Sequence, residues 1–183
     1  MKSIRNLKEL PAGRALLADY LLEFHAARLL LLHRVCGVSN RIDGLTKLAK
    51  LDFFARYPAF LAASCEALVQ EAPPTTRGVE APMVRHHYGP WDKRYYHVLA
   101  FLEGTGLLAV AAQLNGCYRF ALTPAGVELA DALCAAAPYE SLVTQMRHIK
   151  RVFGSRSGDS LKRFIYQQFD REVARRLLGE VIE

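Results

Sequence analysis

The side chains best suited to chemistry in this sequence are its histidines and cysteines. Cys36 follows His33 by three residues, a spacing that could pair a thiol with a base on one helix. His25 stands eight residues before His33 without a carboxylate placed to complete a metal site. His86 and His87 are adjacent, so in a strand they would point to opposite faces. None of these pairs predicts a zinc centre, and the first is more simply interpreted as a packed thiol and a surface imidazole.

The motifs of the common catalytic sites are missing from the sequence. It contains no GxxxxGK[ST], no GxGxxG, no HExxH and no GxSxG. Its four cysteines are widely spaced without a CxxC pair, which favours small buried thiols in a reducing compartment. Because catalysis needs converging groups, we predict that the chain is not an enzyme and holds no cofactor and no metal.

Cationic and aromatic side chains are the other candidates for function. We expect three surfaces; the first two could also be ordinary solvated faces, and Trp91 of the third could also pack in the core or at an interface. The first two are candidates for contact with DNA backbone or a partner, and the third is a candidate docking corner. They are, in this order, Lys47, Lys50 and Arg56; Arg147, Lys150, Arg151 and Arg163; and Tyr88, Trp91, Lys93 and Arg94. Charge reversal at Lys150 and Arg151 is expected to weaken DNA binding by an assembled complex and to leave folding intact.

The elements that would position these residues are mostly helices. Apolar spacing predicts a long helix over 15–36, and Asp43 and Asp52 are plausible N-caps of two further helices. Pro58 predicts a break after Tyr57, with helix again over 59–71. Further helices are expected from Asp92 to Gly104, over 140–153, over 159–168 and over 170–181.

A second set of signals predicts a β-hairpin followed by a capped helix. Asn115-Gly116 is a strong hairpin turn between strands over 107–113 and 117–122. Thr123 then caps a helix with Pro124 in its first position. Helix, hairpin and capped helix form the end of a winged helix-turn-helix unit.

A stretch rich in proline, residues 71–82, divides the sequence. We therefore predict an N-terminal helical, winged-helix-like unit over 1–72, a linker over 73–82, a winged-helix unit over 83–138 and a C-terminal helical segment over 139–183. The expected fold class is mostly α with a small β-hairpin wing, built of tandem winged-helix-like units plus C-terminal helices.

Charge is distributed unevenly along the 183 residues, whose formal net charge is +6. Residues 1–72 carry a net charge of +3, residues 73–139 are neutral, and residues 140–183 carry +3. A winged helix that grips phosphates places several cations on its recognition helix and wing, which the neutral segment does not offer. The N-terminus has no apolar stretch of a secretory signal, and Leu29–Leu32 is too short to span a membrane, so we expect a cytoplasmic protein.

Three stretches together resemble a known family. They are RIDGLTKLAKLDFFARYP (41–58), YGPWDKRYYHVLAFLEGTGLL with YRFALTPAGVELADAL (88–133), and SGDSLKRFIYQQFDREVARRLLGEVIE (157–183). They are similar to the middle component of bacterial three-component ABC-ATPase defence systems of the Lamassu type. The resemblance implies a non-catalytic accessory subunit of tandem winged helices. It also implies an SMC-like ATPase and an effector nuclease as partners, with foreign DNA as the target of the complex.

Two other readings stay open from the residues alone. A winged-helix transcriptional regulator would bind an operator as a homodimer, and it would need the basic recognition helix that the neutral segment speaks against. A small enzyme is the third interpretation, and the missing catalytic motifs argue against it.

Overall fold

A computed structural model describes residues 20–72, 82–113 and 116–182. The elements in chain order are α1 (Leu22–Cys36), β1 (Arg41–Asp43), α2 (Leu45–Arg56), α3 (Pro58–Ala67), β2 (Val84–His86), β3 (Gly89–Trp91), α4 (Tyr95–Gly104), β4 (Leu108–Ala112), β5 (Tyr118–Leu122), α5 (Pro124–Ala135), α6 (Glu140–Phe153) and α7 (Gly158–Gln168). This confirms the prediction of a mostly helical chain with a small β-hairpin wing. The expected helix start at residue 15, most of the expected linker and Asn115 lie outside the described residues.

The larger sheet has three antiparallel strands in the order β1-β5-β4. β1 pairs with β5 so that Ile42 lies opposite Phe120, and the β4–β5 hairpin places Val110 opposite the same residue. One winged helix is made of α1, β1, α2, α4, β4 and β5. These elements follow the order helix, strand, helix, helix and hairpin, with the strand order of that fold. This pairing corrects the predicted division at 73–82, because the first and second parts of the chain share one sheet.

The segment between α2 and α4 is an insertion in that winged helix. It contains α3 and a short antiparallel pair, β2–β3. Near the C-terminus, Val181 bridges Val84 of β2, and Ile182 N donates to Met83 O at 2.9 Å. The helix expected over 170–181 is therefore wrong: a π-helical turn covers Asp170–Ala174, and the backbone after it extends to pair with β2.

The core is built around α2, which α1, α6, α7 and β3 surround. Every residue from Leu48 to Arg56 is buried, whichever side of the helix it occupies. The rings of Phe54 and Phe153 stack 4.3 Å apart and join α2 to α6. The second helix expected to begin at Asp52 does not exist, because α2 runs unbroken through that residue and buries its carboxylate.

Local signals fixed some element ends near their expected places, although α3 ends at Ala67 rather than at 71 and Gly44, not Asp43, is the N-cap of α2. α3 begins at Pro58, and the Thr123 hydroxyl accepts a hydrogen bond from Gly126 N at 3.0 Å to cap α5. A Cβ at Gly126 would lie 1.9 Å from Leu107 O, so only glycine lets α5 approach the residue before β4. Within the described part of the chain, no helix combines the length and apolar character needed to cross a membrane.

Candidate functional site

The outer face of the winged helix is nearly free of positive charge. α4 precedes the β4–β5 hairpin, which is the place of the DNA-reading helix in this fold. Its exposed side includes Tyr96, 63% exposed, with His97 and Ala100, and the helix contains no lysine or arginine. The single cation of the hairpin, Arg119, binds Asp43 with Nε 3.0 Å from Oδ1. This face therefore offers aromatic and neutral side chains rather than cations for phosphates.

The first predicted cationic surface is not a surface. Lys50 and Arg56 are buried, which corrects the expectation that they contact DNA or a partner. The Leu45, Leu48 and Leu51 spacing accounts for one apolar side of α2, but the opposite side is covered by α7 and the β2–β3 pair. Lys47 is half-buried, and its Nζ donates to Gly154 O at 2.8 Å.

Lys50 is an unusual lysine, since it is fully buried without a carboxylate partner among the described residues. Its Nζ donates to Pro90 O at 2.9 Å and lies 5.9 Å from the centre of the Trp91 ring. Burial, with a smaller contribution from the charge of Lys162, lowers the pKa of Lys50 to about 7. The side chain thus ties α2 to β3 with one hydrogen bond.

Arg56 belongs to a closed ring of polar contacts that sequence reasoning missed. The members of this ring network are His25, Arg28, Asp52, Arg56, Asp92 and Arg94. Neighbouring members approach within 2.6 to 3.9 Å, the longest approach being Arg56 Nη1 to Asp52 Oδ2. The ring joins α1, α2 and the start of α4, so it positions the recognition-like helix against the core. A sequence signal existed: Asp52 and Arg56 are four residues apart inside an apolar run.

Two carboxylates anchor the ring network. Asp52 accepts from Arg28 Nε at 2.8 Å and from the Tyr95 hydroxyl at 2.7 Å. Asp92 accepts from Arg56 Nη1 at 2.6 Å and from Arg94 Nη2 at 2.7 Å. Burial by itself would raise the pKa of Asp92, but the hydrogen bonds from Arg94 and Arg56 outweigh it and hold that pKa well below its usual range.

The second cationic surface keeps three of its four predicted members exposed. Arg147, Arg151 and Arg163 lie on the outer sides of α6 and α7, and Arg163 pairs with Asp159 at 2.9 Å. Lys150 points inward instead, where its Nζ donates to Cys36 O at 3.0 Å and Gly37 O at 2.6 Å. Its ammonium therefore closes the C-terminal end of α1. We therefore expect charge reversal at Lys150 to disturb folding, contrary to the prediction from the sequence, because a carboxylate there would face two carbonyl oxygens.

We expect Lys150→Met to lower the free energy of unfolding by about 1–3 kcal/mol, because two carbonyls at the end of α1 lose a charged donor. Urea denaturation followed by circular dichroism measures this loss. Arg151→Met is the matched control, since the Arg151 side chain is half exposed and only 4.0 Å from Glu71 at its closest. We expect the control to change stability by less than about 0.5 kcal/mol. Equal losses in the two variants would contradict the capping role.

The predicted docking corner is divided between surface and core. Tyr88 is 52% exposed and Lys93 is exposed, as a docking residue must be. Trp91 is buried and stacks on His86 with ring centres 5.2 Å apart. Arg94 belongs to the ring network. Trp91 and Arg94 therefore hold the fold together and leave Tyr88 and Lys93 as the accessible part of this corner.

The possible thiol–imidazole pair has no catalytic geometry. Burial raises the pKa of Cys36 to about 12, and its Sγ donates to Met146 O at 3.3 Å. Burial also lowers the pKa of His33 to about 4, while its Nδ1 lies 2.8 Å from Leu29 O. A protonated, buried thiol is a poor nucleophile. Across residues 20–72, 82–113 and 116–182, no group of three or more His, Cys, Asp or Glu side chains could hold a metal ion.

Comparisons of the chain with known protein families, with characterised proteins and with solved structures found no match. A winged helix supports many functions, so function has to be argued from its surfaces. Those surfaces are the neutral face of α4, and the exposed arginines of α6 and α7.

Proposed function

We propose that this chain is a non-catalytic accessory subunit of an SMC-like ATPase complex that defends bacteria against phage or plasmid DNA. It would act in the cytoplasm and bridge the ATPase and an effector nuclease. The observation that carries the proposal is the exposed face of α4, which presents Tyr96 and no cation. Exposed aromatic residues are enriched at the centres of protein interfaces, whereas phosphate contacts require lysine and arginine.

DNA contact belongs to a different part of the subunit in this proposal. Arg147 and Arg151 are exposed on α6, and Arg163 is exposed on α7. Three arginines would supply a modest contact with phosphates, strengthened when an ATPase places DNA beside them. The subunit would therefore contribute to DNA binding by the complex without binding one sequence by itself.

A winged-helix transcriptional regulator is the alternative function. A regulator of this kind reads base edges with polar and cationic side chains of its recognition helix. The exposed side of α4 instead contains Tyr96, His97, Ala100 and Glu103, and the hairpin cation is paired with Asp43. The neutral face supports docking over operator reading.

Co-purification tests the proposed docking. A large coiled-coil ATPase gene should lie beside the gene of this chain, and the chain should be recovered with that ATPase when the two are co-expressed. We expect Tyr96→Asp to lower the recovered ratio at least about tenfold, because a buried carboxylate at an interface centre is costly. Tyr118→Asp, at a residue of β5 that is 55% exposed, is the matched control and should leave the ratio unchanged.

The opposite results would overturn the proposal. They are the absence of an adjacent ATPase gene, an equal loss in both tyrosine variants, or nanomolar binding of one operator by the isolated chain at physiological salt. The last result would establish the regulator instead.

A further inference from the structure

A cleft of about 540 Å³ opens beside the turn of the hairpin, and it brings together Lys47 of the first predicted cationic surface and Tyr88 of the docking corner. The first turns of α2 and α7 meet there, and a Cβ at Gly158 would lie 2.8 Å from Lys47 N. The side chains that give the cleft its chemistry are Lys47, Tyr88, Tyr118 and Lys162. A volume of this size accommodates one small molecule or one unit of a larger one.

The ammonium of Lys162 is the unpaired charge of the cleft, because both of its acids are paired with arginines and Lys47 already donates to Gly154 O. Asp43 is paired with Arg119, with Nε 3.0 Å from Oδ1, and Asp159 with Arg163 at 2.9 Å. Lys162 has no carboxylate partner among the described residues, and its Nζ lies 5.4 Å from the centre of the Tyr88 ring. An anion entering the cleft would meet an ammonium group without displacing an existing ion pair.

An exposed ring adds a second recognition element. Tyr118 lines the cleft and is 55% exposed, and its ring makes no aromatic or cationic contact within the described part of the chain. Such a ring is a platform on which a nucleobase can stack, and stacking accepts every base. Ammonium groups beside an open aromatic ring are the combination that binds a phosphate next to a base.

The geometry points to a binding site for a nucleotide phosphate, with the phosphate at Lys162 and Lys47 and the base on Tyr118. The positive ends of α2 and α7 lie on the phosphate side and add to its attraction, while the lysine and tyrosine side chains define the ligand. The site lies apart from the α4 face and does not depend on the proposed docking function. Its natural ligand is either a free nucleotide or one unit of a single strand, which share this chemistry.

Isothermal titration of the isolated full chain tests the site with adenosine 5′-monophosphate, adenosine and inorganic phosphate as probes. We expect the nucleotide to bind, and each half of it to bind at least about tenfold more weakly. Lys162→Ala and Tyr118→Ala should each weaken nucleotide binding about tenfold or more. The matched controls are Arg171→Ala, which removes an exposed cation elsewhere, and Tyr96→Ala, which removes an exposed tyrosine elsewhere. Neither control should change the affinity.

A twelve-residue oligodeoxyadenylate distinguishes the two sources. A single strand is the ligand if the oligodeoxyadenylate binds at least about tenfold tighter than the mononucleotide and this binding is lost in Lys162→Ala. Equal affinities of the two would identify a free nucleotide. Thermal melting confirms that each variant folds. The inference is overturned if neither adenosine 5′-monophosphate nor the oligodeoxyadenylate binds, or if Arg171→Ala weakens binding as much as Lys162→Ala.

Discussion

Lys50→Met should make this protein more stable, by about 2–4 kcal/mol at pH 7 and below. The ammonium of Lys50 is fully buried and has one acceptor, Pro90 O, and burial moves its pKa from 10.5 to about 7. A displacement of this size corresponds to a cost of about 4–5 kcal/mol for keeping the charged form in the folded state. Methionine fills a similar volume without charge, and the unpartnered Pro90 carbonyl offsets about 1 kcal/mol of the gain.

The same lysine makes the stability of the unsubstituted protein depend on pH. Between its folded pKa of about 7 and its ordinary value of 10.5, the unfolded chain binds more protons, so the free energy of unfolding rises with pH. The part of the free energy of unfolding that comes from an uncharged Lys50 is fully present above pH 10.5 and is lost as the pH falls to about 7. We expect the slope of the wild type to exceed that of Lys50→Met by up to about 1.4 kcal/mol per pH unit.

The titratable groups around Lys50 define the pH range of the measurement. Lys162 and Tyr166 face it from α7, and His86 faces it from β2. The pKa of His86 is lowered and that of Tyr166 is raised, in both cases mainly by burial, so neither titrates between pH 7.5 and 9. The unfolded thiol of Cys36 also titrates in this interval, while burial keeps its folded pKa at about 12. It acts equally on both proteins, so the difference in slope between the wild type and Lys50→Met, measured by urea denaturation at several pH values, isolates Lys50. Lys93→Met, at an exposed position, is the control and should keep the slope; an unchanged slope in Lys50→Met would contradict the argument.

Local signals in the sequence were enough to predict the break after Tyr57, the cap at Thr123 and the strands of the hairpin. Each depends on residues a few positions apart, whose backbone preferences act before tertiary structure forms. The β1–β5 pairing could not be predicted in this way. It joins Asp43 to Arg119, which are 76 positions apart, and nothing near either residue specifies the other. The division into two winged units followed from missing that pairing.

The burial of charged side chains was the second feature that could not be predicted from patterns in the sequence. Lys50 lies off the leucine stripe of α2, where a lysine is ordinarily solvated, and only the packing of α7 and β3 covers it. Asp52 has the residue type of an N-cap, so it was interpreted as one, yet it is fully buried with Arg28 as its partner. Lys150 lies on the same helix face as Arg147 and Arg151, but its length lets it reach the end of α1. In each case the deciding neighbour is distant in sequence.

Asp52→Asn should destabilise the protein by about 3–5 kcal/mol. The carboxylate of Asp52 is fully buried, and it is the acceptor for Arg28 at 2.8 Å and for the Tyr95 hydroxyl at 2.7 Å. An amide cannot neutralise the buried guanidinium of Arg28, and it offers one acceptor oxygen where the carboxylate has two. A loss of this size is a large part of the stability of an ordinary domain, so the urea midpoint should fall sharply.

A weaker variant keeps this prediction testable if Asp52→Asn fails to fold. Tyr95→Phe removes one hydroxyl from the same carboxylate and should cost about 1–2 kcal/mol with the fold retained. Asp43→Asn is the matched control, because Asp43 also binds an arginine but is 44% exposed, and it should cost less than about 1 kcal/mol. If Asp52→Asn and Asp43→Asn lose the same small amount, the ring network does not hold α1, α2 and α4 together. We expect Asp52→Asn to lose far more stability than Asp43→Asn, because the same chemical change breaks a buried ion pair at Asp52 and an exposed one at Asp43.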